Sequence, residues 1–232
     1  MQYRPQRRTY TASEMYAQHR GGGVFTRFVS QRGAALLAAA AANRGLHPST
    51  ITLLGGALAL VSSICAAIAG VRGTWQLGVV ALIGWQIAYI FDCADGQLAR
   101  TTGKASVHGG RLDMLVDLAA QIFLVAAVAQ IIVVRSDAEP ILVGAFASAW
   151  LVNLFISVMA SGQGAQSIID SRSPLVQVAK ATRDYGVMTF ALGLLVILWT
   201  SGVIFFAYFY LVLNMIVLIL SIYKTARLGY RN

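Results

Sequence analysis

The sequence predicts an all-α integral membrane protein, with six transmembrane helices preceded by an N-terminal interfacial amphipathic helix. Three observations carry that prediction. The 232 residues are 57% hydrophobic and 12% charged, where a soluble domain carries about 25% charged residues. Apolar runs recur at close to the roughly 20 residues that a helix needs to cross a bilayer core. The basic residues also collect on alternate connections. Low charge and the absence of long polar tracts exclude a disordered chain. Two cysteines, Cys65 and Cys93, exclude a disulfide scaffold and argue against a cysteine-rich zinc site.

The first 20 residues are polar, so no cleavable signal peptide is expected. Residues 1–49 form an arm, and residues 50–232 form the membrane domain. Within the arm, the apolar stretch Gly33–Ala42 is too short to span and suits an interfacial segment. Phe25, Phe28, Val29 and Leu36 share one side of a helix there, with Arg27 and Gln31 opposite. Arg32 falls on the apolar side, where a long side chain can snorkel.

The six spans run Ile51–Ala69, Trp75–Phe91, Leu112–Val134, Ile141–Ala160, Val187–Trp199 and Val203–Ile222. The fifth has the shortest apolar core. It is expected to extend upstream through Tyr185, with Thr200-Ser201-Gly202 as a tight turn into the sixth. Small residues such as Gly55-Gly56-Ala57 suit close helix packing in lipid. Sixteen of the eighteen Lys and Arg lie on the side of the two termini, leaving Arg72 and Arg135 on the other. Both termini are therefore expected to be cytoplasmic. Orientation and attraction to anionic lipid account for the basic excess without nucleic acid.

The nine acids are more informative. Four of them, Asp92, Asp95, Asp113 and Asp117, flank the second-to-third connection. Asp92 and Asp95 are three apart, and Asp113 and Asp117 are four apart, so each pair shares a helix face. Facing antiparallel helices would bring four carboxylates together. Divalent cations relieve the repulsion, and hard oxygen ligands suit magnesium, manganese or calcium. A two-metal phosphoryl-transfer site is the resulting inference. Gly96 and Gly109 leave room for a ligand or backbone, and Arg100 can meet a phosphate. A cation transporter or channel remains the alternative of a different class. It would place acids near mid-membrane on several spans rather than near one face on two.

Asp92, Asp95, Gly96, Ala99, Arg100, Gly109, Asp113 and Asp117 stand at the spacing D-x2-D-G-x2-A-R-x8-G-x3-D-x3-D. Those 26 residues resemble the signature of the CDP-alcohol phosphotransferase family. The resemblance implies that the four aspartates hold two divalent metals (Mg2+ or Mn2+) and that Asp117 also deprotonates the acceptor alcohol. Gly96, Arg100 and Ser106 would contact a CDP-alcohol donor. His47-Pro48-Ser49-Thr50-Ile51-Thr52 resembles the family segment leading into the first span, with His47 where a threonine is commoner. Ser49, Thr50, Ile51 (through its backbone) and Thr52 would then line the nucleotide pocket; read alone, Ser49 is a helix N-cap.

The family likeness implies a homodimeric membrane transferase of phospholipid biosynthesis, moving a phosphatidyl group from CDP-diacylglycerol to an alcohol and releasing CMP. A CDP-polyol such as CDP-inositol is the alternative donor. Arg172, Lys180 and Arg183 could bind a phosphorylated acceptor, and positive-inside topology explains them equally well. The active site is expected at the cytoplasmic face.

Overall fold

A computed structural model describes residues 8–20, 22–162 and 184–229. Among the described residues, 86% are helical and none is in a strand. A short helix α1 (Ala12–Ala17) precedes a π-helical turn, Thr26–Ser30, that runs directly into α2 (Gln31–Asn43). Long helices follow: α3 (Pro48–Arg72), α4 (Trp75–Thr101), α5 (Val107–Arg135) and α6 (Pro140–Gly162). The last two are α7 (Tyr185–Leu198) and, after a 3₁₀ turn at Thr200–Gly202, α8 (Val203–Gly229).

Helices α3, α4 and α5, and the stretch Thr200–Arg227, are long and apolar enough to cross a membrane. Two shorter stretches, Pro140–Ile156 and Tyr185–Leu198, are equally apolar in character. The helices overrun the expected spans at the end of the bundle that carries the aspartates. There α4 continues ten residues past Phe91, and α5 begins five before Leu112. Helix α7 starts at Tyr185, and the expected turn at Thr200–Gly202 is present.

Helix ends explain several boundaries. Pro48 occupies the first turn of α3, where its missing N–H costs nothing. The N-cap is His47, whose Nδ1 accepts from the Ser49 N–H at 3.2 Å. Ser49 is therefore not the cap, because the proline starts the first turn two residues earlier. At the far end Gly73 adopts φ 72°, the left-handed geometry that ends a helix readily only with glycine. Arg135 donates from Nε to the Gly70 carbonyl at 2.6 Å and from Nη2 to the Val71 carbonyl at 3.0 Å. Those carbonyls lack intrahelical partners, and a cation there also meets the negative end of the helix dipole.

Trp85, Leu124, Val128, Ile131, Phe146 and Leu192 form the centre of a core to which α3 through α8 all contribute. The Trp85 indole is fully buried and donates to Ser63 Oγ at 3.1 Å. A second core joins Met15 of α1 to the alanines of α2, Ile51 of α3, and Ala94 and Leu98 of α4. The arm is thus packed onto the bundle by its alanine face. Phe28, Val29 and Leu36 are exposed, with Arg32 over the Phe28 ring at 5.4 Å, whereas Phe25, expected on the same face, is half-buried with its ring 6.4 Å from that of Phe190. Gln31, expected on the polar side, is buried instead and accepts at Oε1 from Gln97 Nε2 at 2.7 Å. Of the two residues expected opposite the apolar stripe, Gln31 meets α4 and Arg27 stays exposed.

Glycines set how closely the three site-bearing helices approach. A Cβ on Gly55 would lie 2.9 Å from Phe91 Cβ, and one on Gly56 would collide with Val116. Gly56→Leu should therefore wedge α3 from α5. Overpacking costs about 1–3 kcal/mol, so the melting temperature in detergent is expected to fall. An unchanged melting curve would show that the α3–α5 contact yields freely.

Candidate active site

The aspartates converge as their spacing requires. One carboxylate oxygen from each of Asp92, Asp113 and Asp117 lies within 4.8 Å of the other two. Asp95 stands apart from this trio. It is 5% exposed, and its Oδ2 accepts a short hydrogen bond from Thr52 Oγ1. Asp113 Oδ1 is buried without a hydrogen-bond partner. Among the described residues the one ion pair is Arg8–Glu14, so no Lys or Arg is in ion-pair contact with any of these aspartates. Clustered carboxylates with an orphaned oxygen fit a hard divalent cation such as magnesium or manganese.

Two cavities meet at this cluster. One, of about 120 Å³, lies between α3, α4 and α5, with small walls from Gly55, Gly56, Ala59, Ala88 and Ala120. Asp92, Asp95 and Asp117 face it, together with Tyr89, Gln121 and Tyr185. The other, of about 240 Å³, lies at the α4–α5 end and shares Thr52 and Asp95 with the first. Ser49, Gly96, Arg100, Ser106, Gly109 and Asp113 line it, as do Arg20, His47 and Lys104.

Five of the seven residues expected to contact the donor thus line one cavity. Thr50 is exposed and Ile51 is buried in the arm-side core, and neither side chain reaches the wall. Gly96 has a second role besides access. A Cβ there would lie 2.8 Å from Arg100 Nη1, so the missing side chain lets the guanidinium fold back over α4. Ser106 is the N-cap of α5, its Oγ accepting from the Gly109 N–H at 3.0 Å. Arg172, Lys180 and Arg183 lie outside the described residues.

Sequence reasoning missed Tyr89, Gln121 and Tyr185. Tyr89 precedes Asp92 by three residues and Gln121 follows Asp117 by four, so helical spacing from the aspartates would have found both. No local pattern could have found what positions Tyr89. Asp184, at first sight a loop acid, is 7% exposed and caps α7 by accepting from the Gly186 N–H at 3.0 Å. Its carboxylate also accepts from Thr26 Oγ1 at 2.7 Å. Because the Thr26 proton goes to that carboxylate, the Tyr89 hydroxyl, 3.0 Å from Thr26 Oγ1, is the donor to Thr26. The Tyr89 oxygen keeps a lone pair available to the cavity.

Thr52→Val should strip Asp95 of its donor, and a buried acceptor left unpaired costs about 1–3 kcal/mol. A lowered melting temperature is expected, with Thr52→Ser close to wild type. Equal melting of both variants would show that the hydroxyl contributes nothing to holding Asp95.

A family model described as CDP-alcohol phosphatidyltransferase matches residues 45–225, most of the chain. No curated protein matches it.

Proposed function

The chain belongs to the CDP-alcohol phosphatidyltransferase family, and on that premise we propose that it moves a phosphatidyl group from CDP-diacylglycerol to a polar alcohol, releasing CMP. The family's reaction accounts for the transfer of a substituted phosphate group from a CDP-alcohol. The observation that carries the finer reading is the aspartate cluster lying where two unlike cavities meet. The cavity walled by glycine and alanine suits the glycerol end of a lipid donor. The basic, hydroxyl-lined cavity suits the nucleotide. Family membership removes the transporter reading.

In this mechanism Asp117 takes the hydroxyl proton of the acceptor alcohol. The oxygen so exposed attacks the β-phosphorus, and the bond from that phosphorus to the bridging oxygen breaks. CMP leaves with the bonding pair. Asp92, Asp95, Asp113 and Asp117 would hold two divalent cations, magnesium or manganese, whose charge offsets that on the diphosphate oxygens. Thr52 holds the Asp95 carboxylate against α3. Ser49, Gly96, Arg100 and Ser106 bind the cytidine diphosphate portion, and Arg172, Lys180 and Arg183 are proposed to meet the acceptor.

Six spans with both termini cytoplasmic complete the proposal, supported by sixteen of eighteen basic residues on one side. The site then faces the cytoplasm, where soluble alcohols and nucleotides are available. A homodimer, as in the family, is part of the same proposal; cross-linking in native membranes tests it.

Purified protein incubated with labelled CDP-diacylglycerol, magnesium and a panel of alcohols should release CMP only when an accepted alcohol is present. Chelation should abolish release, and added magnesium or manganese should restore it. Failure with both lipid and polyol donors would overturn the transferase proposal. Asp117→Asn should lower kcat by about 10²–10⁴-fold, the range expected for a lost general base, while donor binding persists. Near-normal turnover in that variant would remove the base assignment.

A further inference from the structure

The segment Gln18-His19-Arg20-Gly21-Gly22-Gly23 joins α1 to the π-helical turn, and it is anchored on both sides. Upstream, α1 is closed by a capping box in which the Thr11 N–H donates to Glu14 Oε2 at 2.8 Å. These Thr11 hydrogen bonds hold the Glu14 carboxyl below the usual range. The helix is tied to α2 by a reciprocal pair. The Tyr10 N–H donates to Asn43 Oδ1 at 2.8 Å, and Asn43 Nδ2 donates to the Tyr10 carbonyl at 2.9 Å. Met15 is fully buried beneath it. The Gln18 carbonyl then accepts from Arg100 Nε at 2.9 Å. Downstream, Thr26 is fastened to Asp184, and Gly23 passes so close to that carboxylate that a side chain there would collide with it.

These anchors deliver Arg20 to the wall of the 240 Å³ cavity, which also contains Arg100 and Lys104. None of the three cations has a carboxylate partner among the described residues. Arg20 and Arg100 are close enough to repel one another. The acids on this wall are Asp95 and Asp113, which belong to the aspartate cluster. Three cations on one wall, none of them held in an ion pair, form a site for an anion that bears more than one negative charge. Arg100 has its Nε engaged by the arm, which sets the direction in which its two terminal nitrogens point.

We propose that Arg20 binds a phosphate of the donor's cytidine diphosphate portion, so that the N-terminal arm forms one wall of the donor site. The proposal rests on the transferase reading and adds a binding residue from outside the aspartate motif. Arg20 is a phosphate contact, and the arm's backbone, through Gln18, positions Arg100 beside it.

The test measures binding of cytidine, CMP and CDP to the full-length protein in detergent with magnesium, followed by steady-state kinetics. Arg20→Ala should weaken CMP and CDP about tenfold or more, as expected for a lost charge-assisted hydrogen bond, and leave cytidine unaffected. Arg20→Lys should restore part of the loss. KM for the CDP-alcohol should rise by a larger factor than kcat falls. Arg27→Ala removes the same charge from the exposed surface outside the cavity, and it should bind all three ligands as wild type does. Unchanged CDP affinity in Arg20→Ala would overturn the proposal. So would a parallel loss of cytidine affinity, which marks a role in packing rather than phosphate contact. An equal loss in Arg27→Ala would also overturn it, by showing a general surface-charge effect. Wild-type protein that binds neither CMP nor CDP would instead overturn the transferase reading on which the proposal rests.

Discussion

Like charges held close together in an apolar bundle are the constraint on which the rest of this structure depends. Asp92, Asp113 and Asp117 bring carboxylate oxygens within 4.8 Å of one another, with no ion-pair partner among the described residues. Coulomb repulsion at that separation is large unless water or a cation screens it. The bundle must therefore resist the tendency of α4 and α5 to part at this end. It does so by packing α3 against both. Gly55 allows α3 to approach α4 at Phe91, and Gly56 allows it to approach α5 at Val116. The Thr52–Asp95 hydrogen bond adds a polar tie between α3 and α4. Below the site, Trp85, Leu124 and Ile131 close the same three-helix contact with apolar side chains.

The legible part of this architecture was whatever repeats with helical period or depends on composition. Apolar run length located the long helices among the described residues. The i, i+3 and i, i+4 aspartates declared their shared faces, because a straight helix converts spacing into direction. Tyr89 and Gln121 follow the same rule and could have been found. Helix caps were less legible, since Ser49 and His47 compete for one position and the proline decides between them. Gln31 was placed opposite the apolar side of α2, yet it is satisfied by Gln97, 66 residues away. Contacts of that kind have no sequence period. Asp184 and Arg20 were hidden for the same reason: each looks like an ordinary charged residue outside a span, and its environment is created by distant segments.

The donor cavity also shows how one residue can serve structure and chemistry together. Ser106 caps α5, His47 caps α3, and both line the cavity. Gly96 leaves space that Arg100 uses. The helix ends that terminate the bundle here are therefore the walls of the site. That arrangement keeps the site rigid, because shifting a wall residue would unsatisfy backbone groups that have no other partner.

The hydrogen bond between Thr26 and Asp184 joins residues 158 positions apart in the chain. All eight positions of the aspartate motif have been translated by residue 117, long before α7 exists. Until α7 is made and inserted, the segment that carries Arg20 lacks the Asp184 tether on its downstream side. A nascent chain halted between α5 and α7 would display the whole motif, but Tyr89 would lack its fixed partner and the arm its second tether. Completion of the site thus waits on the later helices, and biosynthesis itself separates possession of the motif from possession of a finished pocket.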